Sequence, residues 1–234
     1  MCAPRKSLAT GKTKTQKVKI PKNQKCSYRF HKSLDDLKLK KVKVESCSST
    51  CDANACDNAM DYMECPSSCH KTCKNRNFHT NDVSKVYVKN TGTKGYGLFA
   101  TRNIKKDEFV IAFTGDVIST KEYGKRIRGY KKSKKFPYVY QAGPFFIDAT
   151  ERGNSAKFAN YACNFNMRTE KWQLDGKLEG FVALGFFAER RIRKGEELTI
   201  DYNYDEDESR KIKCLCQHPN CSGRMGRALA NRRG

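Results

Sequence analysis

The 234-residue chain has no apolar run near the roughly 20 residues that a membrane span needs, and its N-terminus lacks the apolar stretch of a secretory signal. A soluble, intracellular protein with no membrane partner is expected. The sequence has no P-loop, no H-E-x-x-H pair, no G-x-S-x-G elbow and only four histidines, which removes most support for hydrolase and nucleotide-triphosphate chemistry. Acidic residues are also scarce. Lysine plus arginine number 47 against 25 aspartates and glutamates, a formal net charge of +22. About half of that excess lies in residues 1–45, which hold fourteen basic and three acidic side chains. With too few apolar groups to offset the entropy of ordering, residues 1–44 read as a mostly disordered basic arm that contacts DNA phosphates through counterion release. The bland alternative is a solvated tail. Residues 38–43 (KLKKVK) also fit a nuclear import signal. The length allows one catalytic domain with smaller appendages.

What the chain has in abundance is cysteine, twelve in all. Thiols stay reduced inside cells, so metal ligation is the leading use. Cys26, Cys47, Cys51, Cys56, Cys65, Cys69 and Cys73 precede the main domain, and short spacings let one turn of chain offer two thiolates to a tetrahedral zinc. Seven sulfurs hold two ions if one bridges, and Cys51, in the middle, is the candidate. Cys26 stands apart, with twenty residues between it and Cys47. Near the C-terminus, Cys214, Cys216 and Cys221 supply three ligands and need a fourth, for which Cys163 is unclaimed. Eleven cysteines then fill twelve positions around three zinc ions.

Between Val83 and Asp205, short segments rich in valine, isoleucine, phenylalanine and tyrosine are punctuated by turn residues: VYVKN, EFVIAFTGDVI, PYVYQA, FFIDA, GFVALGFFA and ELTIDY. One helical stretch, Thr120 to Lys132, interrupts them. A β-rich α+β core follows.

Four stretches, residues 94–99 (KGYGLF), 153–163 (GNSAKFANYAC), 197–202 (ELTIDY) and 214–221 (the C-x-C-x4-C), resemble in order the signature motifs of SET-domain lysine methyltransferases. The likeness covers about residues 47–226. The preceding cysteine cluster looks like the associated-with-SET (AWS) zinc module. Residues 169–177 (TEKWQLDGK), 180–199 and 221–226 (CSGRMG) are similar to the enzymes acting on lysine 36 of histone H3. The resemblance implies short sheets around a knotted-looking active site, flanked by two small zinc-binding modules. The arm (1–44) would lead into an AWS-like module at 45–82, the SET domain at 83–206, a post-SET zinc segment at 207–226 and a basic tail at 227–234. It implies S-adenosylmethionine as cofactor, the histone H3 tail and nucleosome as partners, a nuclear, chromosomal location and a monomer.

The resemblance also implies roles. Lys94, Gly95 and Tyr96 would offer main-chain groups to the cofactor, joined by Lys157, Asn160 and Tyr161. Tyr202 is similar to the catalytic tyrosine, with Tyr138 and Tyr204 lining the lysine channel, and Tyr140 shares a face with Tyr138 at strand spacing. Tyr138 and Tyr202 would touch the cofactor as well. Ile200 stands where the family carries phenylalanine or tyrosine; without a hydroxyl it cannot hold the water that limits product to one methyl. Residues 203–213 resemble a loop that covers the channel. The family's R-F-x-N-H-S-C-x-P-N differs here at Lys157, Tyr161, Ala162 and Phe165. The alternatives are a catalytically impaired chromatin-binding SET protein, and an enzyme for lysine 9 of histone H3 or a non-histone lysine.

Overall fold

The computed structural model describes residues 27–47, 51, 56–80, 82–92, 94–203, 212–219, 221 and 223–225. Cys26, Tyr204, residues 1–26, most of the 203–213 loop and the basic tail lie outside the described residues.

Among the described residues the strands form three four-stranded sheets. One orders β1 (Arg29–Phe30), β6 (Asp116–Ile118), β8 (Phe145–Asp148) and β7 (Val139–Ala142). A second orders β2 (Met63–Glu64), β10 (Met167–Leu174), β11 (Ala183–Ala188) and β5 (Phe109–Phe113). The third orders β3 (Val86–Asn90), β4 (Tyr96–Ala100), β12 (Glu197–Ile200) and β9 (Asn160–Tyr161). Every residue of β5 and β11 is buried, which is why both read as unbroken apolar runs. They meet the third sheet in a core that includes Phe158, Phe181, Phe186, Leu98 and Ile111.

The apolar run 108–118 is split between two sheets. The chain turns at Gly115, where a Cβ would lie 2.4 Å from the Asp148 carbonyl oxygen, so only glycine permits the crossing. Strand β10 has no counterpart among the segments read from the sequence, because its middle residues are polar and half-exposed.

Residues 27–44 correct the reading of a disordered arm. β1 pairs in parallel with β6, residues 32–37 form a 3-10 turn that buries Leu34, and Val44 is buried as well. Composition hid this because a few anchoring contacts hold the strand: Arg29 binds Asp116 at 3.1 Å, and Tyr28 and Phe30 pack edge-on against Phe181.

Two short helical turns, α1 (Asp57–Met60) and α2 (Asn77–Thr80), bracket β2 in the cysteine-rich segment, and β2 pairs with β10 to join that segment to the main domain. Helix α3 (Thr120–Lys132) begins at a Ser119 cap that accepts from the Glu122 N–H, as Ser-x-x-Glu predicts. α3 buries no residue completely. It docks through Tyr123, stacked on Phe146 at 4.0 Å, and through Arg126, which bridges the buried carboxylates of Asp116 (3.1 Å) and Asp148 (2.9 Å). Tyr130 Oη adds a bond to Asp148 at 2.8 Å.

Candidate active site and cysteine clusters

Strand β12 organises the site. It pairs antiparallel with β4 and parallel with the two residues of β9, so Thr199 faces Asn160 and Ile200 faces Tyr161. Two residues are too few to hold a strand by themselves, and Asn166 secures the pairing. Its buried amide donates to Glu196 Oε1 (3.0 Å) and the Glu197 carbonyl (2.8 Å) and accepts from the Thr199 N–H (2.9 Å). The result places the 153–163 motif against the 197–202 motif.

Beside this junction lies a narrow channel lined by Phe113, Tyr138, Tyr140, Phe186, Ile200 and Tyr202, with Ala156, Lys157 and Ala159 along its wall. The Tyr202 hydroxyl donates to the Ala159 carbonyl at 3.0 Å, which fixes its ring against the wall. Lys157 Nζ donates to the carbonyls of Ala149 (3.2 Å) and Thr150 (3.4 Å) and lies 5.4 Å from the Tyr138 ring centroid. Burial pushes its ammonium below the ordinary lysine value. A slender chain ending in an amine suits such a slot, because its apolar and aromatic walls disfavour the charged form.

Next to the channel, Glu197 gathers two residues named from the sequence. Its carboxylate takes the Lys94 ammonium at 2.5 Å and the Asn160 amide at 2.8 Å, while Asn160 also donates to the Tyr96 carbonyl at 3.2 Å. Gly97 leaves room for this approach, since a Cβ there would lie 2.8 Å from Glu197 Oε1 and push the carboxylate aside. Gly95 takes φ +77°, the left-handed turn that glycine favours. An ammonium, a carboxylate, an amide and the peptide groups of Gly95 and Tyr96 form a polar set that fits a zwitterionic amino-acid group, which is the fit S-adenosylmethionine demands.

Lys94, Gly95, Tyr96 and Asn160 are thus brought together, and Tyr138, Lys157 and Tyr202 line the adjoining channel. Tyr161 takes a different place. It is 4% exposed, its ring meets Tyr202 edge-on at 5.8 Å, and its hydroxyl donates to Cys163 Sγ at 3.9 Å, among the C-terminal cysteines. Its main chain keeps the β9 pairing, so exchange of this side chain leaves the junction intact. Sequence reasoning missed Glu197, Asn166 and the channel residues Phe113 and Phe186. Glu197 was legible within the 197–202 motif, whereas the others depend on sheet register.

Cys163, Cys214, Cys216 and Cys221 converge so that all four sulfurs lie within 4.8 Å of one another, the donor set of a closed structural zinc site. Burial works against charge on Cys216, but hydrogen bonds, including those from backbone N–H groups of Cys163 and His218, bring its thiol down to about 7, ready to ligate. In the N-terminal cluster, Cys47, Cys51, Cys65, Cys69 and Cys73 converge likewise, and Cys56 Sγ lies 3.4 Å from Cys65 Sγ. The amides of Asn58 and Asn75 donate to Cys65 Sγ at 3.4 and 3.5 Å, a neighbourhood that supports thiolates.

Residues 95–203 match the SET domain family. Over 218 residues, 87% of this chain, it is 36% identical to a protein of Eremothecium gossypii named histone-lysine N-methyltransferase, H3 lysine-36 specific. Proteins of the same name from Saccharomyces cerevisiae (36% identical, 75% of this chain) and Schizosaccharomyces pombe (38%, 73% of this chain) are similar to it. The alignments span 31%, 24% and 22% of these relatives, so this chain corresponds to about a third or less of each.

Proposed function

Because this chain belongs to the SET-domain family, we propose that it is a histone-lysine N-methyltransferase that transfers methyl from S-adenosylmethionine to lysine 36 of histone H3 in a nucleosome. The observation that carries the reading is the β9–β12 junction, which brings Asn160 with Glu197 and Lys94 beside a channel containing Tyr138 and Tyr202. When bound, S-adenosylmethionine supplies a methyl group on a positively charged sulfur. Lys94, the 95–96 backbone, Asn160, the Tyr161 main chain and Lys157 would hold it.

The chain's own task is to present a neutral amine. A lysine at its ordinary pKa of about 10.4 costs roughly 4–5 kcal/mol to deprotonate at neutral pH. Phe113, Phe186 and Ile200 desolvate the ammonium and lower that cost. The Tyr202 hydroxyl aligns the amine, Tyr138 closes the wall, and Tyr204 extends the same role beyond the described residues. Ile200, 3% exposed, offers no hydroxyl to anchor a water, which favours more than one methyl per lysine. We further read the two cysteine clusters as AWS and post-SET modules holding three zinc ions with Cys51 bridging, Cys26 as the remaining ligand, and residues 1–26 as a DNA-binding arm of a nuclear, chromosomal protein that is a monomer.

The test is incubation with nucleosomes and isotopically labelled S-adenosylmethionine, read by mass spectrometry. Label on lysine 36 is expected, and Tyr202→Phe should lower the rate by about a hundredfold or more, the scale of losing one oriented polar group at a reacting centre. Absence of label on every histone and every other protein, from folded, zinc-loaded, cofactor-binding protein, refutes the enzyme and leaves a chromatin-binding SET protein. Label on lysine 9, or on a non-histone protein alone, moves the substrate.

A further inference from the structure

Residues 121–135 carry eight lysines and arginines and a single acidic residue, Glu122. Glu122 is turned inward, bound to Arg126 at 3.1 Å. The inner face of α3 is accounted for by Tyr123, Arg126, Ile127 and Tyr130, which dock on β6, β7 and β8. On the opposite side Lys121, Lys125, Arg128 and Lys132 recur at intervals of four, three and four, which stacks them in one exposed stripe along the helix. Lys131 and Lys134 flank it, also exposed. Among the described residues none of these six has an acidic partner, whereas neighbouring Lys135 binds Glu151.

A face serving only solubility would intersperse glutamates, because like charges at helical i, i+4 spacing oppose the helix. Here the helix tolerates that repulsion over 13 residues, about 20 Å of length. Lys134 adds to the cost by taking φ +53°, a helix-ending conformation that glycine or asparagine adopts more cheaply. The stripe also has a location. The chain leaves it through Lys135 directly into Phe136, Pro137 and Tyr138, which line the channel.

We propose that the outer face of α3 is a double-stranded DNA interface, with Lys121, Lys125, Arg128 and Lys132 tracking the phosphate backbone beside the mouth of the lysine channel. The ligand is the polyanionic backbone of a duplex, recognised without base contacts. It rests on the nucleosome reading only for why a duplex should lie next to the channel; the interface itself is testable without any methyl transfer.

The experiment measures affinity of the full chain for a naked DNA duplex across a salt series, for wild type and for the combined Lys125→Ala, Arg128→Ala, Lys132→Ala variant. Losing three phosphate contacts should lower the slope of log affinity against log salt by about 2–3 and weaken binding about tenfold to a hundredfold near 0.1 M salt. Lys125→Arg with Lys132→Arg should bind as wild type does, and melting temperatures should not fall. On nucleosomes the alanine variant should raise KM, while turnover of an isolated histone H3 peptide stays unchanged. An unchanged salt slope overturns the proposal. So does weaker nucleosome binding with unchanged DNA binding, which would assign the stripe to an acidic protein surface. If no preparation methylates any histone but the slope still falls, the interface stands and only the enzyme reading fails.

Discussion

Replacing Arg126 with methionine should destabilise the fold beside the channel. Arg126 joins three carboxylates: Asp116 at 3.1 Å, Asp148 at 2.9 Å and Glu122 at 3.1 Å. The side chains of Asp116 and Asp148 are 4% and 0% exposed, so neither recovers water when the guanidinium goes. Asp116 keeps Arg29 (3.1 Å) and Arg152 (3.0 Å), while Asp148, among the described residues, keeps only uncharged donors, Tyr130 Oη and the Thr150 N–H. The loss is therefore near that of one orphaned buried charge, about 3–5 kcal/mol. For a domain of this size that lowers the melting temperature by roughly 6–20 °C. Arg126→Lys cannot span both carboxylates and should fall between the two.

The pH dependence adds a second readout. Burial opposes charge on Asp116, but bonds from Arg29, Arg126 and Arg152 overcome it and hold the carboxyl below its usual range. A carboxyl held low in the folded state stabilises the protein above its unfolded pKa, and that stability is lost as pH falls through the folded value. With one arginine fewer the folded value rises, so the acid loss of stability should begin at higher pH in Arg126→Met. Thermal melts at fixed zinc between pH 3 and 8 measure both. A change under about 1 kcal/mol, or acid limbs that superimpose, would refute the reading of this cluster as the dock of α3.

Glu197→Gln removes the charge that fixes Lys94 while keeping an oxygen for Asn160, so the KM for S-adenosylmethionine should rise about tenfold with little change in melting temperature; an unchanged KM separates Glu197 from cofactor binding. Cys163→Ser breaks a cluster that joins the chain's middle to its C-terminal segment, so zinc per chain should fall by one and activity should collapse; unchanged metal content would dissolve that link.

Composition and spacing were enough to single out two groups of cysteines that could hold metal ions, because a cysteine's ligand capacity is intrinsic to its side chain and close spacing keeps most of the members together in any fold. They were enough also for α3, read from the sequence as Thr120 to Lys132, where the structure places it behind a Ser119 cap. Likewise Tyr202, Asn160 and Lys94 could be named as candidates from short contiguous motifs, and Tyr138 from the resemblance alone. The docking of residues 27–44 was not legible, because two residues of β1, one arginine and the buried Leu34 and Val44 suffice to anchor a stretch whose average composition is that of a solvated arm. Nor was the place of Tyr161, which follows from its strand neighbour and the cysteines behind it. Only the tertiary structure could make one carboxylate, Glu197, the common partner of Lys94 and Asn160, 103 and 37 residues away, because sheet register between distant strands is set by the whole core and by no local property of the residues that meet.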